Sequence, residues 1–370
     1  MSLIAQDAPG KTVLLMGNEA IARGALEAGV KVCAAYPGNP SSEIIGSLSS
    51  AADALDLHVE WSVNEKVAME VVAAASFAGL RGLCSMKQNG LNVASDFLLN
   101  LNLSGTQAGL VVVVADDPGG ISSTNEEDSR IFAKIGDLPL LEPATFQEAK
   151  DMTRWAFSLS EDLGLPVMIR SVTRVSHARG NVRLDALPRP QTKARFDLSR
   201  PRLAFPPLPS HKALHQKLER AGTLVATSPY NSYRGPEKPE LLLVTSGSGW
   251  MYSLEAVMNL EATALNIKAT SNITAAPTIL SDGSLQHRNF YPANDVDWAR
   301  LDVPAYARTF RLLAAAVPHV RHTRNRPKPR RFRNRIAVSS RAIVAARASR
   351  SAAENSRSPP TAASYRRSTN

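Results

Sequence analysis

"GLVVVVADD", residues 109–117, decides how the chain is read. Four successive valines leave no position for a wet face, so the run reads as a central strand buried on both sides, the habit of parallel sheets covered by helices. The segments on either side follow the same rhythm. Before it, "GLCSMK" (82–87) leads into "NVASDFLLNLNL", and "HVEWSV" (58–63) leads into "NEKVAMEVVAAASFAGL", with Asn64 as helix cap. Earlier still, "KVCAAYPG" (31–38) leads into "SSEIIGSLSSAADAL", and "TVLLMG" (12–17) into "NEAIARGALEAG", which Asn18 can cap and Gly29 can end. After it, a polar loop precedes the amphipathic helix "FQEAKDMTRWAFSLSEDLG" and the strand "PVMIRSV" (166–172). Short strands alternating with helices predict an α/β fold with parallel pairing.

Beyond residue 180 the rhythm breaks. Pro, Arg and Lys crowd "LPRPQTKARF" and "RPRLAFPPLPSHK", so residues 181–238 are expected to be a connection with one short helix near "HKALHQKLERAG". "PELLLVTSGSGWMYSLEAVMNL" (239–260) restores strand, turn and helix, and opens a second α/β domain expected over 239–320. Periodicity then fades, although "VPAYARTFRLLAAAVPHV" can form one more helix. Residues 321–370, almost wholly Arg, Ala, Ser, Pro, Thr and Asn, cannot bury enough apolar surface to offset their ordering entropy, and a disordered basic tail is expected there.

The net charge of +10 belongs to that tail. Residues 321–370 hold fourteen Lys and Arg against the single acid Glu354, a local charge of +13, which leaves −3 for residues 1–320. The body is therefore not expected to seek a polyanion. Cys33 and Cys84 sit in apolar strands and read as buried small hydrophobes, too few for a disulfide framework, zinc site or iron–sulfur cluster. The opening "MSLIAQDAPGK" lacks the head and apolar stretch of a signal peptide, and no later run is long enough to span a bilayer, so a cytoplasmic protein is expected.

In a parallel sheet all strands end on one edge, and ligands bind outside those ends. "YPGNPSS" (36–42), "SVNEK" (62–66), "MKQNGLN" (86–92) and "ADDPGGISSTNEEDSR" (115–130) all fall on that rim. Glu65 opens a nearly all-apolar helix, which implies a helix buried between neighbours; the carboxyl either satisfies the helix dipole or is partly buried and able to hold a proton. Glu60 and Glu70 are weaker candidates, being away from a helix start. Lys87 ends a strand, and Gly90 beyond it permits close backbone approach. Asp116 and Asp117 serve either a polar turn or a ligand contact. "TSGSGW" (245–250) looks like a phosphate-cradling turn but matches no fingerprint. His177, just past a strand end, is the only histidine singled out, and no metal site is expected.

The ordered motifs "GNEAIARGALEAGV", "AAYPGNPSSEI", "EWSVNEKVAMEV", "MKQNGLNVASD", "VVVADDPGG", "SSTNEEDSR" and "VMIRSVTRVSHARG" closely resemble the indolepyruvate α subunits of the thiamine-pyrophosphate-dependent 2-oxoacid:ferredoxin oxidoreductases. The resemblance is dense over residues 12–180 and resumes at 228–257. It implies that residues 1–180 are the pyrimidine-type thiamine-diphosphate-binding domain and that Glu65 is the glutamate hydrogen-bonded to the aminopyrimidine, favouring its imino tautomer. By the same resemblance Pro37, Gly38, Asn39, Pro40, Ser41, Ser42, Lys87, Asn89, Gly90, Leu91 and Asn92 line the cofactor cleft. Asn39, Asp116, Asp117, Ser122, Ser123 and Asn125 face the substrate, a 2-oxoacid such as an arylpyruvate, which is decarboxylated oxidatively to acyl-coenzyme A with electrons passed to ferredoxin. Mg2+ and 4Fe-4S clusters are expected on other domains or on a partner subunit. Asn39 stands where the family usually has threonine, Gln88 where it has histidine, and Gly119-Gly120-Ile121 lacks the usual histidine before the paired serines. Because the diphosphate-binding and ferredoxin-like segments do not appear after Leu260, the chain reads as truncated, frame-disrupted or one half of a split enzyme, inactive alone.

Two other functions fit parts of the sequence: a nucleic-acid-associated protein acting through its tail, and a non-oxidative thiamine-dependent decarboxylase. Arginines without interleaved aromatics give at most salt-sensitive, sequence-blind binding, so a nucleic-acid partner is not expected.

Overall fold

The computed structural model describes residues 2–189, 192–197, 199, 207–234 and 242–259, with short strand segments at 266–270, 278–279 and 285–286. Most of the expected second domain, the helix foreseen near 303–320 and the basic tail lie outside these residues. All described elements fall in one compact unit, residues 1–296.

Six strands form the main sheet: β2 (Val32–Ala35), β3 (His58–Trp61), β4 (Gly82–Lys87), β5 (Leu110–Asp116), β6 (Leu140–Leu141) and β7 (Val167–Val172). Their order is β3-β2-β4-β5-β7-β6, and every pair is parallel. The valine run behaves as its composition requires. Val111 and Val113 enter the core on one face, and Leu110, Val112 and Val114 enter the core on the other.

The helices divide between those faces. Helices α1 (Gly17–Glu27), α2 (Ser42–Leu55) and α6 (Phe146–Leu163) fill the first core, and α3 (Glu65–Phe77) and α4 (Gln88–Ser104) the second. Chain leaving β2 therefore turns to one face and chain leaving the adjacent β4 to the other, which opens a crevice between them at the carboxyl edge. Helix α3 is not buried on all sides, contrary to expectation. Ala68, Met69, Val72 and Ala73 face the core, whereas Val67 and Val71 are half-buried and Ala74 is exposed. Alanine lowers the apolar payload enough for one side to stay wet.

Strand β1 (Thr12–Met16) also departs from the expected parallel arrangement. It pairs antiparallel with β8 (Arg179–Arg183) in a separate ribbon, and its alternating burial, with Leu14 exposed, is the pattern of a half-wet strand. Two short elements went unforeseen inside the polar stretch before α6: α5 (Arg130–Ile135) and β6. A short α7 (Thr173–His177) follows β7.

The connection contains α8 (Pro207–Ala226), a longer helix than predicted. Pro207 and Pro209 lie in its first turn, where missing N–H groups cost nothing. Leu214, Leu218, Ala221 and Val225 are buried in the first core, so α8 is packed against the body. Strand β9 (Asn231–Arg234), β10 (Leu242–Thr245) and β11 (Asn266–Thr270) form a small sheet in the order β10-β11-β9, and α9 (Gly249–Asn259) follows β10.

A buried charge network joins α1 to α6. Lys150 Nζ lies 2.7 Å from Glu27 Oε2 and 2.8 Å from both Asp151 Oδ1 and Asp185 Oδ2. Arg23 donates from Nε to Glu27 Oε1 at 2.7 Å, and its other nitrogens serve the Ile4, Gln6 and Asp185 carbonyls. Removing one member of such a cluster strands the rest in a dry interior. Lys150→Met is expected to cost about 3–5 kcal/mol in urea unfolding; an unchanged midpoint would show that the charges do not depend on one another.

Candidate active site

Glu65 occupies the first turn of α3, and the helix is capped as predicted: Asn64 Oδ1 accepts the Val67 N–H at 2.9 Å. The Glu65 residue is only 8% exposed. Among the described residues nothing donates a hydrogen bond to its carboxylate, whose oxygens keep some contact with solvent, which leaves an acceptor at the crevice with unused capacity. Gly90, in the first turn of α4, accounts for the fit: a Cβ at that position would lie 2.7 Å from Glu65 Cδ. Glycine is required there by close approach. The neighbouring Cys84 thiol is pushed up by burial and, further, by the Glu65 charge.

The turn between β2 and α2 makes the facing wall. Ser41 Oγ donates to the Gly38 carbonyl at 2.8 Å, and the Gly38 N–H donates to Ser42 Oγ at 2.9 Å. Both hydroxyls are thus engaged in closing the turn, and Ser41 is buried. Asn39 is exposed at its tip and Pro37 beside it, while Pro40 is buried across a cis peptide bond. Asn18 does not cap α1. Its side chain is buried and donates to the Pro40 carbonyl at 2.7 Å and to Glu43 at 2.8 Å, fastening the turn from below. His177 Nε2 lies 3.4 Å from the same Glu43 carboxylate.

Lys87 closes the crevice between these walls. Its chain packs on Gly38, where a Cβ would lie 3.1 Å from Lys87 Cγ, and it forms no ion pair with any described residue. Three polar atoms around the end of β4 are buried without a partner: Ser85 Oγ, Gln88 Oε1 and Asn89 Oδ1. Ser85 pairs in register with Ala35, the last residue of β2, so it lies where the two chains part. Leu91 is fully buried in the second core and supports Gly90 from within.

The 117–129 loop is latched over the first turn of α4. The Asn89 amide donates to Asn125 Oδ1, Gln88 Nε2 reaches the Asn125 carbonyl at 3.5 Å, and Asn92 donates to both oxygens of Glu127 at 2.8 and 3.0 Å. Asn125 also donates to Glu127. Sequence reasoning assigned Asn89 and Asn92 to the cofactor and Asn125 to the substrate, and the fold brings all three together. Asp117 accepts from the Ser122 N–H at 2.8 Å and the Thr173 hydroxyl at 2.7 Å; burial pushes its carboxyl up, but these bonds outweigh it and hold it down. Gly119 and Gly120 supply the positive φ values, 84° and 57°, of the intervening turn. Ser122 is exposed and Ser123 half-buried.

Asp116 is fully buried, and its Oδ2 accepts from Arg170 Nε at 2.6 Å and from the Ser129 N–H at 3.1 Å. Burial pushes its pKa up more than Arg170 holds it down. Arg170 was missed from the sequence, although an arginine inside "PVMIRSV" is a legible signal. It also bonds Glu142 at 2.6 Å and lies 3.8 Å from Asp128, so one partly buried cation gathers three acids. Glu142 in turn accepts the Ser246 hydroxyl at 2.7 Å. The "TSGSGW" turn therefore faces a carboxylate, a poor neighbour for a phosphate. Two surface clefts lined by Glu27, Ala28 and Arg81 lie at the opposite, amino-terminal edge, where Arg81 is already paired with Glu161.

The geometry is that of an acid at a helix start inside a switch-point crevice, with orphaned polar atoms around it. Residues 23–216 match the family described as pyruvate flavodoxin/ferredoxin oxidoreductase, thiamine diphosphate-binding. The chain belongs to this family. The oxidoreductase relatives include the indolepyruvate oxidoreductase subunit IorA of Pyrococcus abyssi, 43% identical over 263 residues, which cover 69% of this chain and 41% of that protein. The IorA subunit of Archaeoglobus fulgidus is 39% identical over 303 residues, 80% of this chain and 48% of that one. Both matches leave more than half of the relative outside this chain. Among solved structures, a 2-oxoglutarate:ferredoxin oxidoreductase from Magnetococcus marinus superposes with a TM-score of 0.60 at 17% identity, covering 72% of this chain and 55% of that one, and so shares the fold. The oxidoreductase family thus agrees with the α/β reading and with the resemblance found in the motifs.

Two outcomes test this site. Gly90→Ala is expected to destabilise by about 1–3 kcal/mol through overpacking, and Glu65→Ala in the same chain should recover most of it in urea unfolding; additive losses would disprove the contact. The Asp128 carboxyl is pushed up by burial, but Arg130 and Arg170 hold it down at about 2. A depressed carboxyl stabilises above its unfolded value and loses that contribution as pH falls through the folded one. Resistance of the 117–129 loop to limited acid-active proteolysis should therefore persist above about pH 4 and vanish toward pH 2.

Proposed function

We propose that the chain holds the aminopyrimidine end of thiamine diphosphate in a 2-oxoacid:ferredoxin oxidoreductase that acts on an arylpyruvate such as indolepyruvate, with coenzyme A as acyl acceptor and ferredoxin as electron acceptor. The observation that carries this reading is the Glu65 carboxylate, on a residue 8% exposed, with no hydrogen-bond donor among the described residues, and pressed against Gly90 at the switch-point crevice. A group presenting ring nitrogens and an amine suits that acceptor and the orphaned atoms of Ser85, Gln88 and Asn89. When bound, thiamine diphosphate supplies the electron sink for cleavage beside the keto group.

The chain's own residues place and protonate. Glu65, fixed at the start of α3, is placed to share a proton with a ring nitrogen of the aminopyrimidine. The Pro37–Ser42 turn, Lys87, Asn89, Gly90, Leu91 and Asn92 form the cofactor wall, with Leu91 acting through its packing. Asn39, Ser122, Ser123 and Asn125 stand on the substrate side, and Asp116 and Asp117 hold the loop that presents them. Tyr36, Trp61, Val63 and Ile121, exposed apolar groups around the rim, favour completion of the crevice by a further domain or subunit, the proper place for Mg2+, the diphosphate and the 4Fe-4S clusters. On this reading residues 1–180 are the pyrimidine-binding domain, 181–238 its connection and 239–320 part of a second α/β domain.

Co-expression with a chain carrying the diphosphate-binding segment should give arylpyruvate-dependent reduction of a one-electron dye. Glu65→Gln is expected to lower turnover about 10²–10⁴-fold with an unchanged unfolding midpoint. Wild-type turnover in that variant sinks the proposal, and release of aldehyde and carbon dioxide without dye reduction reassigns the chemistry to a non-oxidative decarboxylase.

A further inference from the structure

A second cluster has no part in the reaction proposed above. Asp137, just beyond α5, meets His211 and His215 of α8, and one donor atom from each lies within 4.8 Å of the others. The histidines are four residues apart, so their rings rise from the same side of the helix. Each Nε2 approaches the same carboxylate oxygen, Asp137 Oδ2, at 3.6 Å for His211 and 3.7 Å for His215. Those separations are long for hydrogen bonds. They are close to the edge of a metal tetrahedron, about 3.4 Å when metal–ligand bonds are about 2.1 Å. The rings meet edge to face with centroids 4.5 Å apart, an arrangement that lets two nitrogens converge without stacking.

The donor set is selective. Two imidazoles and one carboxylate suit zinc and its neighbours in the first transition row, and are wrong for Ca2+ or Mg2+, which prefer oxygen alone. Asp137 is mostly buried, at 18% side-chain exposure, whereas the histidines are about half exposed at 52% and 53%, so water has room to complete the coordination. Asp137 has a φ of 52°, a left-handed conformation held between α5 and β6. A second cluster, Glu27 with Asp151 and Asp185, offers a contrast, because the ammonium of Lys150 already fills it at 2.7–2.8 Å from each acid.

We propose that Asp137, His211 and His215 bind one divalent transition cation of the zinc class, which clasps α8 to the segment after α5. The physical effect is a cross-link between the connection and the segment that joins α5 to β6. Helix α8 otherwise holds to the body by its apolar stripe and by Lys217, whose ammonium donates to the Gly164 carbonyl at 3.0 Å. The segment that receives the clasp continues back through α5 to the 117–129 loop. This site stands on its own donors and is independent of the thiamine reading.

The test uses the full chain, stripped with a chelator and dialysed, then titrated with Zn2+ by calorimetry and with Co2+ by visible absorption. One equivalent of each should bind, and Co2+ should show the intense ligand-field bands of low coordination with nitrogen donors. His211→Ala, His215→Ala and Asp137→Asn should each weaken Zn2+ binding by about 100-fold or more, whereas His58→Ala should leave it unchanged. Amide exchange across α8 should slow on adding Zn2+ to the wild-type chain and not to the His211→Ala variant. Absence of a stoichiometric Co2+ spectrum in the wild-type chain overturns the proposal without recourse to any variant. Equal Zn2+ affinity in the His211→Ala/His215→Ala chain overturns it as well, by placing the metal elsewhere.

Discussion

Helices α3 and α4 can begin side by side only because Gly90 carries no side chain where the Glu65 carboxyl lies. A carboxylate partly withdrawn from water loses part of its solvation unless something replaces it. Here the replacement is partial. The start of α3 contributes the positive end of its dipole, and Asn64 orders the first turn, yet no described donor reaches the acid. The sheet and two cores hold a polar group where it would not settle by itself, and its capacity to accept hydrogen bonds is left open toward the crevice.

The rest of the rim is organised by charge spent inward. Arg170 binds Asp116 and Glu142 and approaches Asp128, tying the end of β5, the end of β6 and the latch loop to one guanidinium. Burial would depress that guanidinium, but Glu142 and Asp116 push it up. Asp117 then accepts from Ser122 and Thr173. The acids nearest the crevice thereby serve as scaffolding, whereas Lys87 forms no ion pair among the described residues and Asn39 is exposed. The separation follows from energetics: buried carboxylates are retained only when paired or hydrogen-bonded, which removes them from direct use.

Much of this was legible in the residues. The valine run, the helix cap at Asn64, the glycine at 90 and the collection of polar turns on one edge all follow from local rules, and the motif order pointed to the family that the comparisons found. The misreadings share a cause. Asn18 was taken as a cap because its position in the chain permits one, but its amide is spent on Pro40 and Glu43, twenty-two and twenty-five residues away. β1 was placed with the parallel strands because a five-residue apolar run does not state its partner, and β8 is more than 160 residues distant. His211 and His215 drew no attention because their third member, Asp137, is remote in sequence.

The amino-acid sequence by itself determined the alternation of strands and helices, which face of each element is apolar, where helices start and stop, and which residues reach the carboxyl edge. These are consequences of side-chain polarity and backbone preference acting over a few residues. Only the tertiary structure decided that Glu65 abuts Gly90, that Asn89 and Asn92 hold the 117–129 loop, that Arg170 gathers three acids, and that two histidines on α8 share one oxygen of Asp137. Such contacts depend on which helix lies beside which, and that is settled by the packing of two cores on one twisted sheet, a property of the whole chain that no short segment contains.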